Sequence, residues 1–239
     1  MPERLRFRQL DEQSILQTLT RLRDRIVERF PDSGLARVSD ELVDIATETH
    51  DRVVFLSRPH WPIRHAAVAG IALLVTILLA IVLTIRVPTR IDGLSDLFQA
   101  TDAAINELVV LGAIVFFLLT LETRLKRRRA LAALHQLRSV AHVVDMHQLT
   151  KDPERLALPH HDTKSSPERR MSPTELGRYL DYCSELLALT SKIAALHVQR
   201  FDDPVVLAAV NDVETLTTGL SAKVWQKIAV LERLTRAPH

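Results

Sequence analysis

Residues 66–85 read AAVAGIALLVTILLAIVLTI, twenty consecutive positions without a charge. At about 1.5 Å per residue a helix of that length covers roughly 30 Å, the thickness of a bilayer's hydrocarbon core. A chain of 239 residues has too little material to surround such a helix on every side, so the stretch predicts a membrane span. Trp61 and Arg64 precede it at the expected interface, and Pro62 suits a first helical turn, where its missing N–H costs nothing.

A second apolar stretch follows. Leu108 to Leu121 carries no charge and gives about 21 Å of helix; adding Ala103 to Glu107 brings it to about 28 Å. Glu107 then falls near one interface, and Glu122 and Arg124 near the other, where long side chains reach headgroups and water. The segment between the stretches holds Pro88 and Gly93 as turn formers and is too short for a domain. Leu94 to Ala100 predicts a short interfacial helix within it. Two transmembrane helices, about 62–86 and 103–123, are therefore expected to form a hairpin with a short external loop over residues 61–123.

The flanks set the orientation. Arg52, Arg58 and Arg64 precede the first span, and Arg124, Lys126, Arg127, Arg128, Arg129 and Arg138 follow the second, against Arg86 and Arg90 between them. Basic flanks face the cytoplasm, which puts both termini there and predicts a multi-pass protein of a bacterial cell inner membrane. Trp61, Arg64, Arg124, Lys126, Arg127, Arg128 and Arg129 are the expected membrane-interface residues, with anionic lipid as their partner rather than nucleic acid. The spans offer few ionisable groups, which argues against active transport. The connecting loop has neither the Gly-Met-Asn of two-span magnesium channels nor the Asp-Ile-Met-Glu of calcium uniporters.

Beyond the membrane the pattern is helical throughout, in keeping with 5% aromatic residues. Leu176, Leu180, Cys183, Leu187, Thr190, Ala194 and His197 alternate steps of four and three, a 3.5-residue repeat; Val206, Val210, Val213, Thr217, Leu220 and Val224 repeat it. Asp203 can cap the second helix and Pro204 can open it. Folding back, residues whose numbers sum to about 404 meet, so an antiparallel coiled-coil hairpin is expected over 172–239. Its seam is Leu176, Leu180, Cys183, Leu187, Val210, Val213, Leu220 and Val224. Ser172-Pro173-Thr174-Glu175 has capping-box spacing at its entry.

Residues 1–60 predict a shorter helical hairpin. Ile15, Leu19, Leu22, Ile26 and Phe30 precede the turn Pro31-Asp32-Ser33-Gly34, and Leu35, Val38, Leu42 and Ile45 follow it. Residues 124–150 continue the second span as a cytoplasmic stalk helix, since no proline interrupts it before Pro153. Residues 151–171, with Pro153, Pro159 and Pro167, read as a flexible linker.

No named chemistry emerges. There is no Gly-rich phosphate loop, and the single cysteine, Cys183, sits on the seam and reads as an inert core thiol. His142 and Asp145 on the stalk could share a metal with His197, but a hydrogen-bonded polar seam is the preferred explanation; His160, His161 and Asp162 lie in the linker, which cannot preorganise ligands. No cofactor or metal is expected. The function implied is a non-enzymatic inner-membrane anchor or scaffold that presents cytoplasmic helical hairpins for self-association or for a cytoplasmic protein partner. Alternatives are a homo-oligomeric pore or membrane-perturbing effector, which in architecture alone resembles the two-span effectors of bacterial conflict systems, and a metal-dependent membrane-anchored enzyme.

Overall fold

The computed structural model describes residues 9–57, 61–84, 94–156, 164, 171–199 and 201–236. Among them are six α-helices and no strand: α1 (Glu12–Arg29), α2 (Gly34–Ser57), α3 (Trp61–Thr84), α4 (Leu94–Leu149), α5 (Pro173–Gln199) and α6 (Pro204–Arg236), with a 3₁₀ turn at Pro153–Leu156. The chain forms two compact units, Met1–Ser57 together with Arg129–His239, and Arg58–Arg128.

In the first unit the helix ends are set by short polar side chains. Asp11 caps α1 by accepting the Ser14 N–H at 3.1 Å, and Ser33 Oγ accepts the Ala36 N–H at 3.0 Å as α2 begins. The box at α5 is reciprocal: the Ser172 N–H donates to Glu175 Oε2 at 2.8 Å, and the Glu175 N–H donates to Ser172 Oγ at 3.3 Å. Asp203 Oδ1 accepts the N–H groups of Val205 and Val206 at 3.0 and 3.2 Å, and so starts α6.

All eight seam residues are buried, but α5 buries far more than that seam. Tyr179, Tyr182, Leu186, Leu189, Ile193 and Leu196 are buried too. The reason is a second neighbour: α5 packs against α6 and also against α1 and α2. Phe30 meets Tyr179 and Tyr182 edge-on, at ring centroid distances of 5.4 and 6.3 Å, and Arg25 donates to Glu185 Oε2 at 2.7 Å. A strict 3.5-residue seam thus describes one side of α5 only. The N-terminal hairpin, the segment 129–149 and the C-terminal hairpin share one core, to which α4 contributes Ala130, Leu134, Leu137, Ala141 and Val144.

Two boundaries move. The expected interfacial helix at 94–100 is the first two turns of α4 rather than a separate element. The linker is not free from its start: Pro153 is buried, and the 3₁₀ turn packs on α5 and α6. Proline and a capping aspartate, Asp152, whose Oδ1 accepts the Glu154 N–H at 3.2 Å, favour a compact turn there. Most of residues 157–170, including His160, His161 and Asp162, lie outside the described residues.

In the second unit the face of α3 at Ala67 and Gly70 turns toward α4; a Cβ on Gly70 would lie 3.5 Å from Leu118 Cδ1. Glu122 and Lys126, one turn apart, form an ion pair of 3.0 Å that is largely withdrawn from solvent. Among the described residues one helix is long and apolar enough to cross a membrane, within Ile105–Leu149, and none of its apolar window is buried. The described apolar run of α3 is shorter, His65–Thr76.

Candidate functional site at the end of α4

In the first unit, polar groups from three elements converge where α4 stops. The Gln148 carbonyl, one of the last in the helix and without an intrahelical donor, accepts the Lys151 N–H at 3.1 Å and the Lys227 ammonium from α6 at 2.7 Å. A cation on the final carbonyls complements the negative end of the helix dipole. The Gln148 side chain is 1% exposed; its Nε2 donates to Asp145 Oδ1 at 2.7 Å, while Oε1 has no hydrogen-bond partner among the described residues. Such a buried orphan acceptor costs stability and makes this corner a polar socket in an otherwise apolar core.

The surrounding groups titrate away from reactivity. Burial pushes the Cys183 thiol up to about 12, against the opposing pull of Lys227 and Lys151. Burial likewise raises the Tyr179 phenol, whose ring carries the Lys151 ammonium 5.4 Å above its centroid. Burial lowers Lys227, and Asp152 and Asp145 resist that fall. A protonated thiol and a protonated phenol supply no nucleophile at neutral pH. The arrangement fastens α6 to the end of α4.

A second contact lies on the α2 side. The His147 imidazole packs on Gly34, the first residue of α2, so closely that a Cβ there would overlap the ring at Cε1. Glycine is required by that approach. The His147 pKa falls below 6.5 through burial first, then through the positive charges of Arg37 and Lys151.

The candidate metal residues are not brought together. His142 is exposed, Asp145 is engaged by Gln148, and His197 is fully buried with Nδ1 3.2 Å from the Ile193 carbonyl. Among the described residues no group of three or more His, Cys, Asp and Glu side chains could hold a metal ion. The physical reason is periodicity: a polar stripe opposite the apolar face of α4 points out of the bundle, whereas His197 lies on the inward seam of α5.

The residues expected at a membrane interface separate into different environments. Trp61 is exposed and stacks on His65 with centroids 5.4 Å apart; the Arg124 guanidinium lies 5.3 Å from the centre of the Phe117 ring. Lys126 is buried on Glu122, while Arg128 and Arg129 are exposed and Arg127 is half-buried. The Arg64 side chain lies outside the described residues. Compared with known proteins, the chain matches no family model, no curated protein and no solved structure.

Proposed function

We propose that the chain is a non-enzymatic membrane anchor and scaffold of a bacterial inner membrane, which presents a cytoplasmic helical bundle for self-association or for docking a protein partner. The observation that carries this reading is the uncovered apolar surface of α4. Ile105, Leu108, Val109, Val110, Phe116 and Leu119 are 50–69% exposed. Together they leave on the order of 600 Å² of apolar surface uncovered, worth about 15 kcal/mol at roughly 25 cal/mol per Å². That matches the whole stability of an ordinary domain, about 5–15 kcal/mol, and a patch this large marks a surface that something else covers.

Hydrocarbon is the favoured cover, because the run Arg124 to Arg129 follows directly and suits an anionic cytoplasmic leaflet. A two-span hairpin is supported by the charge-free run at 66–85 and by the approach of Gly70 to Leu118. A pore gains no comparable support: the Thr76 and Thr120 hydroxyls donate to the carbonyls of Ala72 and Phe116, one turn back, at 2.7 and 2.9 Å.

Single cysteines introduced at Thr89, Ser14 and Ser221 test the reading in intact cells. A membrane-impermeant maleimide should label Thr89→Cys and leave the other two unlabelled until the membrane is opened. Release of the protein into buffer without detergent, or labelling of Ser221→Cys from outside, overturns it. Crosslinking the intact protein in its own membrane tests the scaffold role: discrete adducts, with itself or with one partner, are expected, and monomer alone counts against the role.

A further inference from the structure

The N-terminal hairpin covers the second face of α5, formed by Tyr179, Tyr182, Ile193 and Leu196. Along its length the hairpin is held by the apolar core it shares with α5, Phe30 against Tyr179 and Tyr182 included, and the polar ties lie on the rim. Arg25 and Glu185 are both half exposed, and Gln199 pairs with the Leu10 backbone in an exposed position, through contacts of 2.9 and 3.1 Å. Exposed ties of this kind hold weakly. At the α1–α2 turn the tie is different, because there the His147 ring lies directly on the backbone of Gly34.

We propose that His147 is an acid-sensitive latch on the α1–α2 turn: neutral, it seats that turn against the end of α4, and protonated, it leaves the seat and loosens the turn, while the apolar core keeps the hairpin on α5. The charges that act on this seat disfavour a cation. From α2 come the positive end of the helix dipole at Gly34 and the guanidinium of Arg37; from the chain that follows α4 comes the ammonium of Lys151. The turn contributes the uncharged Ser33 and Gly34, and its carboxylate, Asp32, is exposed. The nearby α5 group is the Tyr179 phenol, which stays protonated under the Lys151 ammonium. Among the described residues both charges that act on the ring are positive, and the neighbouring carboxylates Asp145 and Asp152 act on Lys227 instead.

The sign follows from linkage. A histidine whose folded pKa lies below 6.5 binds its proton more readily once the latch is open. The closed state is therefore fully favoured above 6.5 and loses ground as the pH falls through 6.5 toward the lowered folded value, by at most about tenfold in the opening constant per pH unit for one proton. The inference does not rest on the membrane reading, since every group in it belongs to the first unit.

Hydrogen exchange on the full chain in detergent micelles between pH 8 and 5 tests it, with rates at residues 30–38 corrected for the intrinsic pH dependence of exchange. The native chain should lose protection there as the pH falls below 6.5, and His147→Gln should hold a constant level of protection. Histidine resonances, assigned by their absence in His147→Gln, should give a His147 midpoint below 6.5, and Arg37→Gln should raise that midpoint. A native midpoint at or above 6.5, or the same acid loosening in His147→Gln as in the native chain, overturns the latch. Should His147→Gln loosen the turn at every pH, Arg37→Gln and Lys151→Gln decide: midpoints that rise toward 6.5 support the latch, and midpoints that stay put refute it.

Discussion

Leu187→Ala should turn Cys183 from an inert thiol into a reactive one. Leu187 is fully buried one turn beyond Cys183 on the α5 seam, and Cys183 is fully buried as well. Removing three carbons forfeits about 2.4 kcal/mol of transfer free energy at roughly 0.8 kcal/mol per methylene, and the cavity left behind raises the cost to roughly 3 kcal/mol. With its pKa pushed up to about 12, the enclosed thiol carries almost no thiolate at pH 8, so alkylation proceeds through an opened state. Because 1.36 kcal/mol is a factor of ten, a 3 kcal/mol loss should speed alkylation by roughly 150-fold. The assay is the time course of iodoacetamide labelling of the full chain in micelles, read by mass; Cys183 is the only cysteine, so one site reports. Lys192→Ala, on the exposed side of α5, should leave the rate unchanged. An acceleration of less than about fivefold in Leu187→Ala would refute the packing of α5 on α6 described above, since it would price the cavity below 1 kcal/mol.

Two glycines should answer in opposite directions to the same substitution. Gly219→Ala, exposed in mid-α6 with open space at its Cβ, should raise the unfolding free energy by about 0.5–1 kcal/mol, whereas Gly34→Ala should lower it by about 1 kcal/mol or more because His147 must leave its seat. Denaturant midpoints in one detergent compare them. Asp203→Ala should cost about 1–2 kcal/mol, since the carboxylate serves two N–H groups and is buried, and the loss should appear as a lower midpoint with an unchanged slope. Glu175 is held below its ordinary pKa of 4.5 by the Ser172 N–H and hydroxyl, so its contribution is present above 4.5 and lost as the pH falls below it; Glu175→Gln should flatten stability in that acid range.

The starts of α5 and α6 were legible because each is written in a few residues: Ser172 with Glu175, and Asp203 with Pro204, cap as their spacing implies, whereas the Asp11 cap of α1 was not read from the sequence. What spacing could not convey is how many neighbours a helix has. Both Leu180 and Tyr179 lie in α5, yet a 3.5-residue count selects only the first, because it assumes one partner and one buried stripe. Tyr179, Tyr182 and Leu186 fill the gaps in that count, and their apolar bulk was the available sign that α5 is enclosed from a second side. The same assumption made separate modules of 1–60 and 172–239, which are distant in sequence and share one core.

The polar socket was less legible still, for a reason that lies in the chemistry of helix ends. A lysine on a helix surface, such as Lys227, is usually solvated, and its role depends on whether a carbonyl without an intrahelical donor happens to stand within reach. Here Gln148 supplies one because α4 ends a residue later. Periodicity alone favoured His142 and Asp145, which share the outward stripe, over His147, which falls on a different face. Yet the face that matters is the one another backbone can approach, and only a residue without a Cβ permits that approach. Gly34, read first as a turn former, is thus also the reason that an imidazole can lie at the start of α2. Substituting that glycine tests the turn and the latch together, while substituting His147 tests the latch alone.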